Sequence, residues 1–136
     1  MIVIDASATV ALILNEDAAA TNEQTFRKLG ADEVLVPSHW IAEVGNAFVI
    51  NIRRQRLNRG QFEFVTATLE QMKIRVEPPP TYGEMIGIVE QASNLGLTYY
   101  DAAYVEKARA YEASLFTFDE KMRQVATRLN ISLLPS

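Results

Sequence analysis

The sequence contains no cysteine and a single histidine, His39. Without thiols the chain forms neither disulfides nor thiolate metal sites, and a cysteine-free protein suits a reducing cytosol. Long apolar runs are also missing. The longest, from Ala8 to Leu14 with Thr9 inside it, is far shorter than the roughly 20 residues of a membrane span, and the first residues lack the basic start of a secretory signal peptide. We therefore expect a cytoplasmic protein that has no membrane as a partner.

Basic residues are outnumbered by acidic ones, and the net charge of −4 argues against a protein that coats nucleic acid by its overall charge. The basic residues are unevenly distributed, however. Four arginines fall within seven residues, at Arg53, Arg54, Arg56 and Arg59. This cluster can be a local patch that binds phosphates, or a solvated helix end whose cations are favoured by the helix dipole. The sequence leaves both interpretations open.

Short apolar runs alternate with helical patterns along the chain. Five runs predict strands, at residues 2–5, 33–38, 74–77, 114–118 and 131–134. Between them the apolar spacing predicts helices at 6–16, at 18–29 closed by Gly30, from an N-cap at Ser38 to about Gln55, and at 58–72, 81–95, 100–112 and 119–129. Strands that alternate with helices form a mostly parallel sheet covered on both faces. We therefore expect a single α/β domain over residues 1–136.

Two aspartates lie at the carboxyl ends of predicted strands: Asp5 is the last residue of the first strand, and Asp119 follows the fourth. The carboxyl ends of parallel strands share one edge of the sheet, where the ligand sites of such folds lie. Asp101 lies in the stretch TYYDAAY, three residues after Thr98, which is the spacing of a capping box. Each aspartate can be explained as a helix cap. The alternative is that all three converge on one site.

Glu43 is harder to explain by structure alone. In the predicted helix its neighbours three, four and seven positions away are Trp40, Ala47 and Ile50, so the carboxylate lies on an apolar stripe. Because an unpaired buried charge is costly, an inward glutamate needs a partner. Asn46 is the other polar residue on this stripe, and no Lys or Arg faces Glu43 at helical spacing. This pattern favours a role in a site.

Four acids at one edge would repel each other unless a cation lay among them. Oxygen ligands without cysteine favour Mg²⁺ or Mn²⁺ over zinc, and His39 is interpreted as a helix-start residue rather than as a ligand. Hydroxyl groups at Ser7 and Thr117, each two residues from an acid, can position carboxylates or water, or can act as local caps. A metal held by carboxylates beside an arginine cluster suits hydrolysis of phosphodiester bonds.

Four segments resemble, in order and spacing, the motifs of PIN-domain ribonucleases, and in particular those of the short VapC-type toxins of prokaryotic toxin–antitoxin pairs. The segments are VIDASATVALIL, HWIAEVGNAF, LTYYDAAYVEKA and LFTFDEKM. The closing LNISLLP fits as well, so the resemblance covers almost the whole chain. One departure is Asn130, which stands where the family often has glycine before the last strand; asparagine tolerates the left-handed conformation there.

The resemblance implies a three-layer fold with a parallel sheet of about five strands, cleavage of RNA, dimers, and a protein antitoxin as partner. It makes four acids both the catalytic residues and the ligands of Mg²⁺ or Mn²⁺, namely Asp5, Glu43, Asp101 and Asp119. Three further residues match supporting polar positions, namely Ser7, Asn46 and Thr117. The prediction is therefore a metal-dependent endoribonuclease that acts as a toxin, with the arginine cluster as a candidate RNA-binding patch.

Two other classes of protein share part of this pattern. A phosphatase of the haloacid-dehalogenase type also begins with a strand-end aspartate and needs Mg²⁺. Phosphatases of this type have a second acid two residues after the first, and this chain has Ser7 at that position. They also have a lysine at the end of a later strand, and no lysine of this sequence can be assigned to that place. The other class is a noncatalytic Mg²⁺-binding module. A receiver domain carries paired acids after its first strand, and a PIN domain without activity would normally have lost an acid.

The helix predicted over residues 40–52 has more apolar side chains than one face can bury, and such a helix is covered on most sides. They are Trp40, Ile41, Val44, Phe48, Val49, Ile50 and Ile52. One side can pack on the sheet, and the other then contacts a second chain, either a copy of this protein or an antitoxin. The alternative is that the sheet and the 58–72 helix enclose it.

Overall fold

The computed structural model describes residues 1–14 and 23–136. Within these ranges the strands are β1 (Ile2–Ile4), β2 (Val34–Val36), β3 (Arg75–Val76), β4 (Ser114–Phe116) and β5 (Leu133–Leu134). The helices are α1 (Ala6–Ile13), α2 (Glu23–Ala31), α3 (Trp40–Arg53), α4 (Arg59–Gln71), α5 (Tyr82–Leu95), α6 (Tyr99–Ala110) and α7 (Glu120–Arg128). The predicted order of strands and helices is confirmed, and the predicted helical parts at 15–16 and 18–22 lie outside the described residues.

The strands form one parallel sheet in the order β3-β2-β1-β4-β5. β1 lies in the centre, where Ile2 pairs with Val34 of β2 and with Ser114 of β4. From β1 the chain proceeds to one edge and then crosses to the other, so the strand order reverses between β1 and β4. Open α/β sheets form a ligand crevice at such a reversal, beyond the carboxyl ends of the strands. Asp5 and Thr117 are the residues that follow these two strands.

The sheet is covered on both of its faces. Every residue of β1 and β2 is buried, and because successive strand residues point to opposite faces, helices must pack on both sides. This arrangement confirms the predicted α/β fold with a five-stranded parallel sheet between helical layers. Among the helices of the described residues, none has the length and apolar character to span a bilayer.

Left-handed residues mark where some helices end. α5 ends at Gly96, which has a φ of 67°, and Asn130 has a φ of 59° before β5, as its place in the sequence predicts. The prediction that Gly30 closes α2 is wrong. The helix continues through Gly30 to Ala31, because Gly30 keeps a helical backbone instead of the left-handed conformation of a closing glycine.

Both predicted ends of α3 are also displaced. Ser38 is not its N-cap: Ser38 lies in the preceding turn, and His39 occupies the cap position without a side-chain capping bond. The helix ends at Arg53 rather than near Gln55, whose positive φ of 58° breaks the helical path. The shorter helix starts with Trp40, which reaches α1 through a 3.0 Å hydrogen bond from its indole to the Thr9 hydroxyl.

α3 has more apolar side chains than its packed face can bury, as predicted. Trp40, Val44 and Phe48 are buried, at 4–6% exposure. The other four are 38–57% exposed, and they are Ile41, Val49, Ile50 and Ile52. Enclosure between the sheet and α4 is therefore wrong as an account of this helix, because these four apolar side chains remain exposed.

Candidate active site

Asp5 lies directly after β1 and is buried, with 5% exposure. It is the N-cap of α1, because its Oδ1 accepts a hydrogen bond of 2.7 Å from the Ala8 N–H. The other oxygen, Oδ2, accepts a hydrogen bond from the Thr117 hydroxyl. The capping interpretation is confirmed for Asp5, and the same carboxylate is also tied to the end of β4.

Thr117 connects two of the predicted acids. Its buried hydroxyl donates to Asp5 and accepts the backbone N–H of Asp119 at 3.0 Å. Asp119 in turn caps α7, because its Oδ1 accepts a hydrogen bond of 2.8 Å from the Met122 N–H. Asp119 itself is exposed. Of the roles that the sequence leaves open for Thr117, the structure shows two: its hydroxyl positions the Asp5 carboxylate and makes a local bond to the backbone N–H of Asp119.

Asp101 lies in the first turn of α6 and is half-buried. The Thr98 hydroxyl caps this helix by accepting the Asp101 N–H at 3.1 Å. A complete capping box has a second bond, from the acid's side chain to the backbone of the cap residue, as Glu84 provides for Thr81 at the start of α5. α6 shows the first of these two bonds. Its start is therefore capped by Thr98, and the Asp101 carboxylate is not needed for the cap.

Glu43 has a partner that the sequence pattern did not reveal. The buried Tyr104 hydroxyl of α6 donates a hydrogen bond of 2.7 Å to Glu43 Oε1. His39 Nε2 lies 3.4 Å from the same oxygen but has hydrogen-bond geometry to no described group. Burial lowers the pKa of His39, although Glu43 opposes this shift, so the imidazole is neutral at pH 7. Tyr104 follows Asp101 by three residues, and this helical spacing is the signal that would have placed both on one face of α6.

The predicted acids are close enough to repel each other. Burial raises the pKa of Asp5 to about 6; its two hydrogen bonds oppose this shift, and the charges of Asp101 and Asp119 add to it. Burial also raises the pKa of Asp101, with further contributions from Asp119 and Glu43. All four predicted acids therefore share one electrostatic environment at the carboxyl edge of the sheet.

The chemistry of this cluster fits a hard divalent cation. Its carboxylate oxygens are the ligands that Mg²⁺ and Mn²⁺ prefer, and a cation among them would offset the repulsion that raises the pKa of Asp5 and Asp101. As positioned, no three His, Asp or Glu side chains within residues 1–14 and 23–136 can hold a metal ion together.

A groove of about 390 Å³ runs along α3 toward the arginines, and of the four predicted acids Glu43 is the one in its lining. Its polar lining includes Ser7, Glu43 and Asn46 near the start of the helix, and Arg54 and Arg56 beyond its end. Arg53 and Arg59 are exposed away from these walls, and Arg59 pairs with Glu63 at 3.5 Å. The structure thus divides the predicted patch, because two of its arginines face the groove and two face solvent.

In the absence of metal, the buried charge of Asp5 is expected to weaken the fold as pH rises. Its folded-state pKa of about 6 lies above the ordinary value of 3.8. The stabilisation from the protonated carboxyl is therefore complete below about pH 4 and is lost as pH rises through about 6. At about 1.4 kcal/mol per pH unit, this loss is at most about 3 kcal/mol. Thermal melts in EDTA should show Asp5→Asn gaining stability relative to wild type from about pH 4 to about pH 7. Parallel pH profiles for the two proteins would contradict this account.

Residues 2–128 match the family model of the PIN domain. The match spans most of the chain, so this protein belongs to the PIN-domain family, whose members are generally metal-dependent nucleases. The resemblance seen in the sequence motifs is thereby confirmed. No curated protein sequence matches the chain.

Two solved structures have a similar fold. PAE2754 from Pyrobaculum aerophilum is 24% identical, with a TM-score of 0.68 over 91% of this chain and 78% of that chain. FitAcB from Neisseria gonorrhoeae is 17% identical, with a TM-score of 0.60 over 98% of this chain and 96% of that chain. At these identities the two structures support the fold.

Proposed function

We propose that this protein is a Mg²⁺- or Mn²⁺-dependent endoribonuclease of the cytoplasm, formed by a single PIN domain over residues 1–136. The observation that carries the proposal is the shared electrostatic environment of four acids beside a groove that leads to two arginines. Family membership supports the general class, a metal-dependent nuclease. RNA is inferred as the substrate because the four sequence motifs resemble those of VapC-type toxins.

In the proposed reaction the four acids hold the divalent cation, whose chemistry when bound is to activate water and to balance charge on the phosphate. Arg54 and Arg56 bind backbone phosphates and so fix the strand along the groove. Ser7 and Asn46 line the acidic end, where a hydroxyl and an amide can hydrogen-bond water or a phosphate oxygen. Thr117 keeps two of the acids in place through its own two hydrogen bonds.

Incubation of the purified protein with a mixed RNA pool tests the proposal. With MgCl₂ or MnCl₂ we expect discrete new ends, mapped by sequencing of the products, and with EDTA we expect none. A DNA pool of the same sequences is the control for substrate class. Cleavage of DNA alone would contradict the choice of RNA, and no cleavage of either pool would favour a PIN domain without catalysis.

The family match and the groove bear differently on the other classes of protein that share part of the sequence pattern. A haloacid-dehalogenase phosphatase and a receiver domain do not agree with the PIN family match. At position 7, where the phosphatase has its second acid, the chain has an exposed serine that lines the groove. An inactive PIN domain is the remaining alternative, and the presence of all four acids opposes it.

RNA affinity is expected to depend on salt because Arg54 and Arg56 contact phosphates. For single strands the salt slope is about 0.7 per phosphate contact, so replacing both arginines with glutamine should reduce the slope by about 1.4. The measurement is fluorescence anisotropy of a labelled RNA with Asp5→Asn protein over a range of KCl. The matched control changes Arg109 and Arg128 to glutamine, because these exposed residues end α6 and α7 at the opposite edge of the sheet. If the salt slope does not change when Arg54 and Arg56 are replaced, these two arginines do not contact phosphates and are solvated side chains at the end of α3.

We further propose that the nuclease is a toxin that forms homodimers and is restrained by a protein antitoxin. The support is the exposure of Ile41, Val49 and Ile52 on α3, because exposed apolar side chains that lie together favour contacts between proteins. Light scattering of the protein alone, and again after coexpression with the product of the adjacent gene, measures both assemblies. A monomer that binds no neighbouring product and does not slow growth would defeat the toxin proposal even if RNA cleavage were observed.

A further inference from the structure

Tyr104 connects two helices that carry predicted metal ligands. It lies on α6, three residues after Asp101, and is only 1% exposed. Its hydroxyl reaches Glu43 on α3 with a hydrogen bond of 2.7 Å to Oε1. Its ring packs edge-on against His39, with 4.9 Å between the ring centroids. One buried phenol thus fixes the Glu43 carboxylate relative to Asp101.

The hydrogen bond between Tyr104 and Glu43 has a fixed direction. The Tyr104 O–H is the donor, and the carboxylate oxygen Oε1 of Glu43 accepts it at 2.7 Å. His39 is not a second donor, because its Nε2 lacks hydrogen-bond geometry to Glu43. Among the described residues, Tyr104 is therefore the group that hydrogen-bonds the Glu43 side chain.

This geometry leaves half of the carboxylate for a ligand. Tyr104 engages Oε1, no described residue donates to Oε2, and Glu43 lines the groove with a side chain that is 38% exposed. Carboxylates that bind metals are commonly held by such an outer hydrogen bond, which fixes their orientation. We propose that Tyr104 is a positioning residue of the metal site, which holds Glu43 by one oxygen so that the other binds the cation. This inference rests on the proposed metal-dependent function.

Titration with Mn²⁺, followed by the electron paramagnetic resonance signal of the free ion, tests the proposal without measuring activity. Tyr104→Phe removes the hydroxyl and keeps the ring, and we expect its Kd for Mn²⁺ to rise about 10-fold or more. The matched control is Tyr111→Phe, which removes a 2.6 Å hydrogen bond from an exposed tyrosine to Glu77, away from the acidic cluster. The control should bind Mn²⁺ like wild type. Unchanged affinity in Tyr104→Phe would overturn the proposal.

A double variant separates positioning from a general effect on packing. Glu43→Ala removes the side chain that the tyrosine is proposed to position. If Tyr104 acts through Glu43, adding Tyr104→Phe to Glu43→Ala causes no further loss of Mn²⁺ affinity. A disturbance of packing alone would lower affinity by the same factor in both backgrounds, and that additive result would overturn the proposal.

A measurement on the unaltered protein decides the matter if Tyr104→Phe does not fold. In wild-type protein with labelled tyrosine rings, bound Mn²⁺ should broaden the NMR signals of Tyr104 at lower metal content than those of Tyr111. Broadening of Tyr111 first, or of neither ring although the protein binds Mn²⁺, would overturn the proposal. Failure of the proposed function gives a different result, because wild type would then neither bind Mn²⁺ nor cleave RNA.

Discussion

Replacement of Asp5 by asparagine is expected to lower the rate of RNA cleavage by at least about 100-fold. The change removes one charge from the proposed cation site with almost no change in shape. A bound metal contributes several kcal/mol to catalysis, and each ~1.4 kcal/mol is a factor of ten in rate. The fold should persist, because asparagine is a good N-cap and can accept the Ala8 N–H as Asp5 does. The measurement is the initial rate of cleavage in saturating MnCl₂.

Asp32→Asn is the matched control for this variant. Asp32 precedes β2 at the opposite edge of the sheet, where it lies 3.9 Å from the terminal amine of Met1, and its replacement should leave the cleavage rate unchanged. The metal-free melting temperature of Asp5→Asn at neutral pH should be no lower than that of wild type, so that unfolding does not explain a lost rate. A cleavage rate of Asp5→Asn close to that of wild type would contradict the assignment of Asp5 to the metal site.

Replacement of Thr117 by valine is expected to impair both stability and metal binding. Valine keeps the branched shape but removes the hydroxyl that serves Asp5 and Asp119. A buried group left unsatisfied costs about 1–3 kcal/mol, so the free energy of unfolding should fall by about the same amount. The pKa of Asp5 should also rise, because the Thr117 hydrogen bond lowers it. Protons then compete better with the cation, and Mn²⁺ affinity is expected to fall about 10-fold.

Urea unfolding and Mn²⁺ titration measure the two effects of Thr117→Val separately. Thr127→Val makes the same chemical change on the exposed surface of α7, where the hydroxyl bonds to the Arg123 carbonyl at 2.9 Å. This control should change neither quantity much, because such bonds back to the helix contribute little. Unchanged Mn²⁺ affinity in Thr117→Val would show that Thr117 supports the fold and not the site.

The order of strands and helices could be predicted because it depends on local patterns. β1 and β4 are apolar runs that end just before Asp5 and Thr117, and the aspartates at 5 and 119 stand at helix starts, where their side chains accept backbone N–H groups. The errors have local causes too. Gly30 and Ser38 are residue types that are common at helix ends. The backbone at Gly30 nevertheless stays helical, and the turn before α3 places His39 at the N-cap position.

Contacts between distant segments could not be predicted in this way. Glu43 and Tyr104 are 61 residues apart, and Asp5 and Thr117 are 112 residues apart, so no periodicity within one helix identifies these pairs. The apolar stripe of α3 indicated that Glu43 needs a partner, but not which helix supplies it. Likewise, which arginines face the groove depends on where α3 ends, and the sequence places that end two residues too late.

The capping bonds of Asp5 and Asp119 constrain how the proposed activity can be lost by mutation. At these two positions an inactivating change also alters a helix start, so the replacements that leave an abundant folded protein are those that still cap, chiefly Asn, Ser and Thr. Glu43 caps no helix of the described residues, so its replacement costs the hydrogen bond from the Tyr104 hydroxyl but leaves the helix starts intact. The proposed activity can therefore be lost by mutation at position 43 without altering a helix start, which a change at either aspartate does not allow.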